Sequence, residues 1–242
     1  MKKLFAVLFL VLALAALASA DVYIKSKMHT DAITIMGQSQ PAKDEMMEQW
    51  FGDDQFAMVM PVLSIVVDLK KNTLYWINHG QKTYIESGLP FDFSKIAPAE
   101  MAPMLSQMMK MTVTVAPNGQ TKTISQWKCS GYDVTIAMMM MQFKMAVWAT
   151  TDVPFDLEKF YKLYANVLKA QMRIDDAAVE EMRKIKGYWI ASETSAEIMG
   201  ASMKSSTEVI EISKKTPDTN VYAPPAGYTK QDKLSMQDMQ NR

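Results

Sequence analysis

The sequence predicts an α+β fold: a strongly curved antiparallel sheet, a half-open barrel of about ten strands, covered by about three helices. Three observations predict it. Segments of alternating apolar and polar residues follow one another from Val22 to Ser87 across connections of two to a few residues, and connections that short make antiparallel neighbours. Elsewhere the alternation gives way to apolar residues at three- and four-residue spacing, the period of amphipathic helices. There is no fixed-period repeat and no linker, so one domain is expected over residues 21–228.

The elements follow in chain order. Residues 1–20, MKKLFAVLFLVLALAALASA, place two lysines before an apolar stretch and end on Ala-Ser-Ala. That is the pattern of a secretory signal peptide, with the apolar stretch shorter than a membrane-spanning helix needs. Strands are expected at VYIKSKM (22–28), EMMEQWF (45–51), QFAMVM (55–60), LSIVVDL (63–69), TLYWIN (73–78) and KTYIES (82–87). Reversals are expected at Lys71-Asn72, His79-Gly80 and Asn118-Gly119, with Gly80 and Gly119 taking the positive φ of tight turns.

A first helix is read at PAEMAPMLSQMMKM (98–111), where Met101, Met104, Leu105 and Met108 share a face. Three strands follow to Met138. After Pro154, Phe160, Leu163, Tyr164, Val167 and Leu168 mark the apolar face of a second helix, with Asp156 and Glu158 at its positive end. A third carries Val179, Met182 and Ile185 inward and a Glu180–Lys184 pair outward. A last hairpin reverses at Met199-Gly200-Ala201, and residues 229–242 read as a polar, disordered tail.

Charge and chemistry narrow the function. The chain has 26 Lys plus Arg against 26 Asp plus Glu, a balance that argues against nucleic acid as a partner. Cys129 is the only cysteine, so no internal disulfide forms, and its strand-like setting without a nearby histidine suits a small buried apolar residue. Only two histidines occur, and no phosphate-binding loop, zinc-protease or redox motif is present. The expectation is a protein without catalysis and without a cofactor.

Methionine is in excess, with 23 residues. The run Met138, Met139, Met140 and Met141 is read as a hairpin tip, because the apolar parity switches within it: Tyr132, Val134, Ile136 and Met138 before, Phe143, Met145 and Val147 after. Together with Met101, Met104 and Met108, and with Trp76 and Trp148, these residues are expected to line an adaptable pocket for a lipid or acyl chain. Two other readings stay open. Thioethers suit Cu(I) in an exported protein, and unbranched methionine also fills irregular space in a solid core.

The segments WKCSGYDVTIAM and VWATTDVPFD, the closing VYAPPAGYTKQD, the signal peptide and the methionine-rich helix between strands resemble a secreted bacterial family of DUF4412 type, over nearly the whole chain after residue 20. The architecture is similar, more distantly, to LolA/LolB-like lipoprotein carriers. That likeness implies a half-open barrel closed by helices round an apolar cavity, and a lipoprotein or envelope protein as partner. The expected protein is exported, periplasmic or secreted, with no transmembrane segment after signal cleavage.

Overall fold

The computed structural model describes residues 20–234 apart from 36, 98–110, 139–140, 173 and 199. The strands are β1 (Asp21–Thr30), β2 (Ile33–Ile35), β3 (Gln38–Gln40), β4 (Lys43–Phe51), β5 (Gln55–Val59), β6 (Leu63–Asp68), β7 (Thr73–Asn78) and β8 (Thr83–Gly88). A short helix α1 (Phe93–Ile96) precedes β9 (Met111–Ile124), β10 (Trp127–Met138) and β11 (Met141–Thr150). Helices α2 (Leu157–Met172) and α3 (Asp176–Met182) lead to β12 (Tyr188–Ile198), β13 (Ala201–Lys215) and β14 (Thr229–Gln231).

Twelve strands form one sheet in the order β14-β8-β7-β6-β5-β4-β1-β13-β12-β11-β10-β9, and β2 pairs with β3 apart from it. All its neighbours are antiparallel except β14, which joins β8 in parallel. The order is linear, with β14 and β9 at its ends, so the ladder does not close into a barrel. Fourteen strands are described where about ten were expected. The additional ones include the three-residue β2, β3 and β14, too short to carry a readable period.

Alternation sends neighbouring residues to opposite faces. Ile24, Phe51, Phe56 and Val67 join a cluster under α2, with its Phe160, Leu163 and Val167. Their chain neighbours Tyr23, Trp50, Ala57 and Val66 join another cluster, packed against Val221, Tyr222 and Tyr228 of the segment before β14. α3 and the turn after it cover β9 to β11, through Ala178 and Val179 of the helix and Ile185 beyond it on Val113, Val115, Val134 and Val147. Asp156 starts α2 as expected, its carboxylate accepting from the N–H groups of Glu158 (2.9 Å) and Lys159 (3.1 Å).

Three local expectations change. Asn118-Gly119 is not a reversal but a bulge inside the single long strand β9, where the register shifts opposite Gly131. Gly119 does have positive φ (73°), but the turn comes at Ser125 (φ 53°). A Cβ on Gly131 would lie 2.4 Å from Asn118 Oδ1 and 3.0 Å from the Trp148 ring, so a side chain there would displace the Asn118 amide and press on the indole. At His79-Gly80 the chain reverses as expected, but Lys82 (φ 54°), not Gly80, takes the left-handed conformation. On α3, Glu180 pairs with Arg183 at 3.5 Å, while Lys184 pairs with Glu181.

The domain also runs past residue 228. Thr229 to Gln231 pair with β8, Lys230 binds Glu86 at 2.7 Å, and buried Leu234 donates its N–H to the Ile96 carbonyl at 2.7 Å. Edge strand β9 is partly held as well: the Val115 N–H donates to Glu181 Oε2 of α3 at 3.1 Å. The first expected helix, 98–111, lies outside the described residues but for Met111, the first residue of β9.

Candidate functional site

An apolar cavity of about 310 Å³ lies between α2, α3 and the sheet. Cross-strand register builds its floor: Ser26 opposes Met47, and Gln49 opposes Met58, so these side chains point the same way. β12 and β13 add Ile190, Ser192, Thr207 and Val209. The roof is a seam of α2, with Phe160, Tyr161, Tyr164, Ala165 and Leu168, continued by Val179 and Met182 of α3. Spacings of three and four residues put that seam on one side of the helix.

Ring contacts make one wall rigid. Phe160 stands edge-on to Phe51 at 5.0 Å and to Tyr188 at 5.3 Å, and stacks on Tyr164 at 5.4 Å. The polar tips among these rings are hydrogen-bonded or held neutral. Tyr188 donates to Gln49 Oε1 at 2.9 Å, and Tyr161 Oη accepts the Gly187 N–H at 2.6 Å. Burial pushes the hydroxyls of Tyr164 and Tyr188 above the ordinary tyrosine range, so both stay uncharged. Among the described lining residues the only charged one is Arg183, just after α3.

Gly187 sets the approach of α3 to β12. Its φ is +104°, and a Cβ there would fall 2.0 Å from the Thr150 carbonyl oxygen. Only glycine lets the chain pass so close to β11 and still present its N–H to Tyr161.

The four described residues of the set expected to form the site lie outside this cavity. Met138 and Met141 close the β10–β11 hairpin as partners, and Met138 also opposes Met111. The chain therefore reverses at the methionine run, and three half-buried thioethers lie side by side on one face. Met139 and Met140 fall outside the described residues, as do Met101, Met104 and Met108. Trp76 packs near α1, its ring 5.8 Å from Phe93 and stacked 6.4 Å from Phe91. Trp148 is buried in the core with Lys122 over its ring at 4.3 Å. None of the four described residues of that set lines the cavity. Among the described residues the methionines that line it are Met47, Met58 and Met182. The sequence marks Phe160, Tyr164 and Leu168 as a helical face, but Gln49, Tyr188 and Arg183 become neighbours only through pairing distant in sequence.

A second, wider hollow of about 760 Å³ is polar, with His29, Asp31, Asp133, Lys144, Glu193 and Lys204 on its sides. Its imidazole is held from both sides: His29 Nε2 meets Asp31 of the hollow at 3.2 Å, and Nδ1 meets Asp44 just outside it at 2.9 Å. The hydrogen bond to Asp44 raises the pKa of this exposed imidazole. Among the described residues no group of three or more His, Cys, Asp or Glu is arranged to hold a metal ion. Nor is any described helix long and apolar enough to cross a membrane. Cys129 is buried, and desolvation raises its thiol pKa, as expected of a packing residue.

The profile of the family described as "Domain of unknown function (DUF4412)" matches residues 24–228. No curated protein sequence matches the chain. Among solved structures, one of PNGF-II is 12% identical at a TM-score of 0.41, over 91% of this chain and 32% of that one. This chain thus spans about a third of that protein's length. A DUF1329 family protein from Desulfovibrio piger ATCC 29098 is 10% identical at a TM-score of 0.33, over 87% of this chain and 92% of that one.

Proposed function

The chain belongs to the DUF4412 family, and we propose that it is an exported, non-catalytic binding domain that carries an apolar, lipid- or acyl-like ligand. The ligand sits under α2 and α3, and the sheet bends round it as a half-open barrel of the LolA/LolB-like kind. One observation carries the reading: a partly open space of about 310 Å³ beneath α2 and α3, walled by methionine, aromatic and aliphatic side chains. Interiors are ordinarily packed to crystal density with few voids larger than a water, and cavities of this size are where small apolar ligands bind. A buried methylene contributes about 0.8 kcal/mol. Eight to ten of them would supply roughly 7 kcal/mol before ordering costs, enough for a carrier that must also release its cargo to an envelope partner.

Native mass spectrometry of protein purified from its export compartment without detergent tests this. The expected result is an added mass that organic extraction removes and identifies as lipid. Protein without added mass that also fails to bind a fluorescent acyl probe leaves a filled-core scaffold as the better description.

A further inference from the structure

We propose that the cavity takes a single-chain amphiphile with an anionic head, its chain under α2 and its head against Arg183 at the mouth. The inference rests on the carriage reading above and adds the ligand's shape and charge. Volume decides the chain number: at about 30 Å³ for each water-sized group, the cavity holds on the order of ten such groups. That is one hydrocarbon chain of moderate length and not two.

Charge decides the head. No acidic residue and no lysine is among the described residues that line the cavity, and Arg183 is. Its side chain is half exposed, so it touches both the apolar space and water, the position that the polar end of an amphiphile must reach. Arg183 is not locked to another group. Its partner Glu180 is 3.5 Å away and 69% exposed, a surface pair of little strength. The guanidinium has five donors, so it can hold Glu180 and a carboxylate together. Lys186 is held away from the cavity lining, its Nζ donating to the Arg183 backbone carbonyl at 3.5 Å, so the guanidinium is the cation an entering head meets. Of the nearby acids, Glu181 is already paired with Lys184, which leaves Glu180 as the counter-charge an incoming head must displace or share.

The test compares dodecanoate, dodecanol and dodecyltrimethylammonium by displacement of a fluorescent acyl probe from wild type, Arg183→Gln and Arg183→Lys. Wild type should bind the acid about tenfold more tightly than the alcohol, with the cation weakest. In Arg183→Gln the acid-to-alcohol ratio should fall to about one, and Arg183→Lys should restore part of it. The wild-type ratio should also shrink as salt rises from about 0.05 to 0.5 M, a readout that needs no variant. Equal binding of acid and alcohol by wild type, or a ratio that survives in Arg183→Gln, overturns the head-group assignment and leaves carriage standing. Failure of all three chains to bind removes carriage, and this inference with it.

Discussion

The two faces of the β1–β4–β5–β6 region are covered in opposite ways. On one, the segment Val221–Tyr228 lies directly on Tyr23, Trp50, Ala57, Val66 and Ile77, and polar contacts pin it. Tyr222 donates to Asp21 Oδ2 at 2.6 Å, and Tyr228 is hydrogen-bonded to His79 at 3.0 Å, which in turn binds Ser64 at 2.7 Å. On the other face, two helices with bulky rings stand over short or flexible floor residues and leave space. A flat strap follows the contour of a sheet; a helix meets it along one line. The difference teaches that the cavity comes from the kind of cover, since apolar residues alternate between the two faces along the same strands.

The largest expected effect is at the roof's hinge. Gly187→Ala drives a Cβ into the Thr150 carbonyl and should cost more than about 3 kcal/mol in urea unfolding. A smaller loss would mean that α3 shifts freely against β11 and the roof is not fixed there. Next comes a matched pair that sets one face against the other. Ala57→Leu on the sealed face, where the alanine is wholly buried, should cost about 1–3 kcal/mol by overpacking. Ala165→Leu points into the cavity; it should change stability by less than about 1 kcal/mol and weaken acyl-probe binding at least several-fold. Equal losses from the two would erase the contrast.

Tyr222→Phe removes the hydrogen bond to the Asp21 carboxylate and should cost about 1 kcal/mol, read as lost exchange protection near Tyr222 without loss of probe binding. The smallest effect is acid-dependent. Burial lowers the His79 pKa below its ordinary 6.5, so the unfolded chain binds the proton more readily than the folded one. His79 therefore contributes stability that is complete above pH 6.5 and lost as pH falls through the lowered folded value. His29 has the opposite sign: its pKa is raised, first by Asp44, and its contribution is lost as pH rises through that raised value. His79→Gln should flatten the acid limb of the stability curve, and His29→Asn the neutral one.

Much of the scaffold was legible because period-two alternation is local. β7 coincides with the expected Thr73–Asn78, β6 with the expected Leu63–Leu69 to within one residue, and the α2 face came from its apolar spacing alone. The parity switch at Met138 also located a real reversal. What failed was non-local. Asn118-Gly119 has turn chemistry, but its neighbours are paired with β10 on both sides, so the pair became a bulge. β14 is three residues long and gains its place only from β8. The cavity was legible as one helical seam and no more: Gln49 meets Tyr188 139 residues away, and no spacing in the sequence encodes that meeting. Methionine excess drew attention to the tip of a hairpin, while the described methionines that line the space are scattered singly over β4, β5 and α3.

A sheet with two ends has a consequence for the chain in crowded solution. β9 is fourteen residues long and lies at one end of the ladder, the kind of margin on which a foreign strand can dock and propagate. Here that margin is interrupted: Pro117 offers no donor, the bulge beside it twists the backbone off register, and Glu181 occupies the Val115 amide. Three small irregularities on one strand thus guard the molecule against polymerising with its own kind.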